Sequence, residues 1–262
     1  MTTLSAVPMV LGALSGVGVG FTLGLVGGGG SILAVPLLVY LVGVPSPHVA
    51  IGTSAVAVGA NAAIGLATHA RMGNVRWQCG ALFAAFGFAG ASLGARLGKL
   101  VDGQSLLAAF AVMMAVVAGL MLRRREPGED RIVRLNWRNA PMLAAGGAAV
   151  GLLSGFFGIG GGFLIVPAIV LATGMPMLQA IGTSLLAVTA FGLATAASYA
   201  SAGLVDWALA GIFVAGGLLG SVAGTRLGRR LAARRGVLTR VFAGLILAVA
   251  GYMLVRSLGA LG

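Results

Sequence analysis

The chain has 262 residues, of which 59 % are hydrophobic and 8 % charged, with a mean hydropathy of +1.05. So few charges cannot cover a water-soluble domain, in which about a quarter of residues are charged, and disorder needs the opposite composition. The net charge of +12 lies in clusters flanking apolar runs, the pattern of cytoplasmic membrane loops rather than of a nucleic-acid surface, so no nucleic-acid partner is expected.

Forty-five glycines without a Gly-x-y period exclude collagen and point to closely packed membrane helices. The single cysteine, Cys79, excludes an intramolecular disulfide and a cysteine-based metal cluster. No metal or other cofactor is expected.

Taken in order, the first apolar segment covers about 5–26. It has no basic stretch before it and is expected to be a retained membrane segment rather than a cleaved signal. Further segments follow at 31–44, 48–70, 78–98 and 104–122, then at 140–157, 162–174, 178–201, 207–227 and 236–256. No charge precedes Arg71, and none occurs from Asn139 to Val205.

The chain repeats itself. GLVGGGGSILAVP at 24–36 is answered by GFFGIGGGFLIVP at 155–167, and AIGTS at 50–54 by AIGTS at 180–184. NVRW at 74–77 is answered by LVDW at 204–207, and GASLGARLG at 90–98 by GSVAGTRLG at 220–228. AGLML at 118–122 corresponds to AGYML at 250–254. Five blocks in one order, at offsets of 130 to 132, define a tandem duplication. The units are 1–122 and 140–262, joined by a linker at 123–139.

The second segment of each unit is short, follows a glycine cluster and contains Pro36 or Pro167. About 13 residues at 1.5 Å each reach roughly 20 Å, less than the ~30 Å hydrocarbon core. The first two segments of each unit are therefore candidates for a broken or re-entrant pair. An odd segment number puts the two units in opposite orientations. On that map one side carries 14 Lys and Arg, including the linker, and the other carries Arg96, Lys99 and Arg256. The linker side is then cytoplasmic and both termini are periplasmic. The expected fold is an all-α polytopic membrane protein built from two inverted-topology repeats of about five segments each, a plan common among secondary transporters.

Several residues are candidates for chemistry. The clusters containing Gly29, Gly30 and Ser31, and Gly160, Gly161 and Gly162, would place uncovered backbone N–H groups at a helix start, where an anion binds. Close packing through small residues is the other reading. Thr53, Ser54, Thr183 and Ser184 could add hydroxyls, or could bond their own backbone. Asn61 lies seven residues after Ser54, on the same helix face. An amide inside a membrane needs a partner or a wet cavity, and its repeat mate is Phe191.

His69 is either interfacial or a proton-coupling group, with Arg71 just beyond it. Arg96 and Arg226 survive the duplication. They either snorkel to the interface or gate an anion at each mouth, because guanidinium matches oxyanions. Among the apolar segments only Asp206 is acidic, and it stands at an edge. No P-loop, H-E-x-x-H or G-x-S-x-G is present, so no enzyme machinery is visible.

The paired G-x-G-G-G-x-x-x-V-P blocks, each followed by IGTS, resemble the TauE/SafE sulfite exporter family, also called the toluene sulfonate uptake permease family. The likeness spans both halves, with Ser31 in the first block where the second has Gly162. It implies a bacterial inner-membrane permease for sulfur-containing anions such as sulfite, sulfoacetate or other organosulfonates. It leaves the solute, the direction and the oligomeric state open. An anion-selective channel, or a membrane scaffold whose glycines only pack helices, are the rival readings.

Overall fold

A computed structural model describes residues 6–123, 139–157, 162–232 and 246–253, with 244 and 255. The expected linker at 123–139 lies mostly outside these residues, as do Gly160, Gly161 and most of the segment at 236–256.

Every regular element described is helical. Helix α1 (Ala6–Val26) runs into a 3₁₀ stretch (Gly27–Leu33), one α turn (α2, Ala34–Pro36) and a π turn (Leu37–Leu41). Then follow α3 (Pro47–Arg71), α4 (Trp77–Gly98), α5 (Gly103–Arg123), α6 (Ala140–Phe157), α7 (Gly162–Thr173), α8 (Met177–Ala200) and α9 (Trp207–Ala232). Six of these, α1, α3, α4, α6, α8 and α9, are long and apolar enough to cross a membrane; the shorter apolar helices are 30–41, 103–117 and 164–173.

Local chemistry explains the breaks. Pro36 has no N–H to give to the preceding turn, and the chain loosens there into the π turn. The short segments end at Gly43 and Gly174, with φ of +82° and +67°. A left-handed turn of this kind is cheap only for glycine, and Pro45 or Pro176 follows within two residues. The stops between segments are thus duplicated along with the segments.

Two glycine seams hold the long helices together. Along α1 and α9, Gly16 faces the backbone of Phe213, Gly20 that of Gly217 and Gly24 that of Ser221, while Gly216, Gly220 and Gly224 face the backbones of Ala13, Val17 and Phe21. Residue numbers rise together on both sides, so the two helices run parallel. Helices α4 and α6 do the same. Gly147, Gly151 and Gly155 lie on the backbones of Phe83, Gly87 and Ala91, and Gly90, Gly94 and Gly98 on those of Ala148, Leu152 and Phe156. Each seam joins a helix from one half of the chain to a helix from the other.

Helices α3 and α8 form the third extensive contact. Gly52 lies by Tyr199, Gly59 by Gly192 and Gly65 by Leu185, so numbers fall on one helix as they rise on the other and the pair is antiparallel. Helix α3 also packs on α9, and α8 on α4. Large apolar side chains on the outer faces of α4 and α9, such as Phe86, Phe88, Leu93, Leu219 and Val222, are exposed, as lipid contact requires. Trp77 and Trp207 are also exposed, at the starts of these helices, the usual place of interfacial anchors.

A Cβ at position 151 would meet the Gly87 backbone, whereas one at Gly211 meets nothing within 4 Å. Gly151→Val is therefore expected to cost about 1–3 kcal/mol or more through overpacking and to lower the melting temperature in detergent. Gly211→Ala should leave it within about 0.5 kcal/mol of the parent.

Candidate functional site

The two AIGTS motifs open α3 and α8, and each holds a loop that belongs to the other half of the chain. Thr53 Oγ1 accepts the Asp206 N–H at 3.0 Å, and Thr183 Oγ1 accepts the Arg76 N–H at 3.0 Å. The glycine before each threonine makes room for the same loop. Gly52 faces the Leu204 carbonyl and Gly182 that of Asn74. The loops turn at Gly73 and Gly203, with φ of +71° and +70°. NVRW and LVDW thus lead out of the loops of two matched clasps, and the motifs that recur in the sequence are partners in space.

The clasps differ at two positions, Asn74 against Leu204 and, with opposite charge, Arg76 against Asp206. Asp206 accepts the Leu209 N–H at 3.0 Å through Oδ1 and so caps α9. Its mate Arg76 donates instead from Nε to Gln179 Oε1 at 2.9 Å. Ser54 and Ser184 donate to Ile51 and Ile181 carbonyls at 2.9 and 2.7 Å, the back-bonding common for serine in apolar helices.

The glycine breaks come close to these helix starts. Gly27, at φ +69°, lies against Ile181 of the second AIGTS motif, and the 3₁₀ stretch that it opens contacts α7 and α8. Gly29 lies within that stretch and Gly162 starts α7. Ser31 is fully buried. Gly30 is also buried, and its α-carbon faces the backbone of Thr22 and Leu23. At that position the glycine serves a close approach of chain segments, with the Thr22 hydroxyl 3.2 Å from its carbonyl. The expected second cluster at Gly160 and Gly161 falls outside the described residues.

Asn61 sits in mid-helix on α3. It is 1 % exposed, and neither Oδ1 nor Nδ2 has a partner. Its amide lies directly over Gly217 of α9, where a Cβ would overlap it. The matching notch in the other half is over Gly87 of α4, and the Phe191 ring fills it. Phe191 stacks on Phe83 with centroids 6.1 Å apart and planes at 22°. One notch therefore holds an apolar stack and the other an unpaired amide.

His69, near the end of α3, is buried with neither ring nitrogen partnered. Arg71, Arg96 and Arg226 are exposed. Arg96 and Arg226 stand two residues from the seam glycines on either side, which turns them to the far face of α4 and α9, where a snorkelling arginine belongs. The structure thus brings Thr53, Ser54, Thr183 and Ser184 to the clasps and leaves these three arginines at the periphery. Thr195, buried with its hydroxyl unpartnered, went unnoticed in the sequence because its repeat mate is Gly65 and no pair signalled it.

A model of the sulfite exporter TauE/SafE family matches residues 12–253. The chain belongs to the TauE/SafE family. It is 51 % identical over 244 residues to a "Probable membrane transporter protein" of Xylella fastidiosa, covering 91 % of this chain and 92 % of that one. It is 30 % identical over 244 residues to the "Probable membrane transporter protein YunE" of Bacillus subtilis, covering 85 % and 88 %. YdhB of the same organism, also a "Probable membrane transporter protein", is 27 % identical over 211 residues. No solved structure matches the chain. The family resemblance carried by the glycine blocks is therefore correct, and the protein is a multi-pass membrane transporter rather than an enzyme.

Thr53→Val and Thr183→Val each leave a loop N–H without an acceptor, a loss of about 1–3 kcal/mol. Each is expected to lower the unfolding temperature, and Thr→Ser at either position to restore most of it. Thermal unfolding of the four variants in one detergent tests the clasps.

Proposed function

We propose that the protein is a secondary transporter of small sulfur-containing anions, sulfite, sulfoacetate or another organosulfonate, working by alternating access between two inverted repeats in a bacterial inner membrane. The antiparallel course of α3 and α8, which are repeat mates, supports the inversion. The arginine distribution supports a cytoplasmic linker and periplasmic termini. The scarcity of buried carboxylates suits an anion better than a cation.

The observation that carries the reading is Asn61. A buried amide with no partner costs several kcal/mol in an apolar setting, and native proteins satisfy such groups with protein, water or ligand. Asn61 meets this condition at mid-span, the depth at which repeat transporters bind their solutes. In this reading its Nδ2–H₂ donates to an oxygen of the anion, while the Phe191 stack packs the equivalent place on the other side. In this reading the glycine break at Gly29 to Ser31, Gly162 at the start of α7, and the helix starts at Thr53, Ser54, Thr183 and Ser184 border the site. His69 and Arg71, at one mouth, serve gating or coupling.

Asn61→Leu keeps the shape and removes the amide. Loss of one hydrogen bond to an anion, about 1.5–3 kcal/mol, should weaken sulfite or sulfoacetate binding about 10- to 100-fold, while the solute-free melting temperature holds or rises. Calorimetric titration and thermal unfolding on one preparation decide it. Unchanged affinity together with a lower melting temperature would make Asn61 a packing residue.

A further inference from the structure

One end of the bundle gathers three polar side chains that the mid-span site does not use. Lys99 caps the C-terminus of α4, Tyr199 is the next-to-last residue of α8, and His48 is the second residue of α3. The Lys99 ammonium donates to the Ser198 carbonyl at 3.0 Å and stands 5.7 Å from the centroid of the Tyr199 ring. The His48 ring lies 6.4 Å from the same ring. Gly103, the first residue of α5, packs on Pro47 at this end, so α5 leaves from here and delivers the chain to the linker at the other end.

The three groups have hydrogen-bonding capacity to spare. An ammonium has three donors. Ser198 takes one, and no described carboxylate lies within ion-pair distance. Tyr199 is fully buried and its hydroxyl has no partner; Nδ1 of His48 is buried and unpartnered too. A buried tyrosine hydroxyl ordinarily finds a partner, and a ring needed only for packing could be phenylalanine. Two of its three members are one-sided: the repeat mates of Tyr199 and His48 are His69 and Leu178, whereas Lys99 keeps a basic mate, Arg229, so the duplicated packing requires neither the phenol nor the imidazole.

We propose that Lys99, Tyr199 and His48 form a docking site for an oxyanion on the face opposite the linker. The ammonium supplies charge and two free donors, the phenol a third, and the imidazole Nδ1, in its protonated tautomer, a fourth. The solute is admitted to the mid-span site, or released from it, through this cluster; that role rests on the carrier reading given above, and the anion chemistry of the cluster does not.

The test uses full-length protein in proteoliposomes sorted by orientation, with sulfite presented to either face. Tyr199→Phe and Lys99→Gln should raise KM about tenfold, the loss of one charge-assisted hydrogen bond, when sulfite meets the Lys99 face. They should leave KM at the linker face unchanged. Tyr199→Phe should not move the melting temperature, and Lys99→Arg should restore most of the KM. Equal KM for Tyr199→Phe and parent at both faces, with only the melting temperature of Lys99→Gln reduced, would make the cluster a helix-end anchor and overturn the proposal. Unchanged sulfite KM with loss of stabilisation by phosphatidylglycerol in Lys99→Gln would assign the site to a lipid phosphate and equally overturn it. A parent protein that moves none of these anions refutes the carrier reading alone. The docking site is then judged by sulfite titration in lipid-free detergent, where Tyr199→Phe should bind about tenfold more weakly and equal affinities overturn it.

Discussion

Where Gly20 meets Gly217, and where Gly151 meets Gly87, two helix backbones touch with no side chain between them. In lipid, burying a leucine against another helix gains little, because the acyl chains are as apolar as leucine; association depends on close packing and on contacts that only near backbones make. Glycine at every fourth position gives a helix one flat face along its whole length. The parallel pairs α1 with α9 and α4 with α6 are the product, and the rest of the molecule is arranged around them. Helices α3 and α8 lie across each other, each leaning on a paired helix from the opposite half.

This arrangement decides which parts can act as rigid bodies. The two halves of the chain are not separate blocks, because each seam and each threonine clasp joins one half to the other. The natural rigid units are the two seamed pairs. The α3–α8 contact lies between them, and there too two glycines, Gly59 and Gly192, meet. Most of the unpaired buried polar groups among the described residues are found here, His48, Asn61 and His69 on α3 and Thr195 and Tyr199 on α8, with Ser15 on α1 and Ser154 on α6 as the others. Stability is concentrated in the seams, and hydrogen-bonding capacity is left over in the pair between them.

Much of this was legible in the sequence. The segment boundaries followed from hydropathy, and the duplication fixed which residues are mates. The short second segments were visible from the glycine cluster before each and Pro36 or Pro167 within it, whereas the stops at Gly43 and Gly174 came only with the fold. What did not show was which repeated block touches which. AIGTS read as a row of hydroxyls available to a solute, and only the fold reveals that Thr53 and Thr183 hold the Asp206 and Arg76 N–H groups. The glycine runs at 27–30 and 158–162 stand out in the sequence. The seam glycines are spaced four apart, and a periodicity spread over whole helices is less visible than a cluster. For Arg96 and Arg226 the sequence left snorkelling and gating open, and their duplication could not decide between them, because they were duplicated along with the seam whose far face they occupy. Asn61 was legible for a physical reason: a lone amide at mid-span has few harmless explanations.

The central claim is that an anion binds between the seamed pairs and is carried across by a change of shape rather than through an open pore. Counterflow tests it most directly. Proteoliposomes loaded with unlabelled sulfite and diluted into a trace of labelled sulfite should accumulate label transiently above equilibrium, saturably, with no net current under voltage clamp. Label that only equilibrates, together with a conductance that rises linearly with sulfite, would describe a channel and contradict the claim.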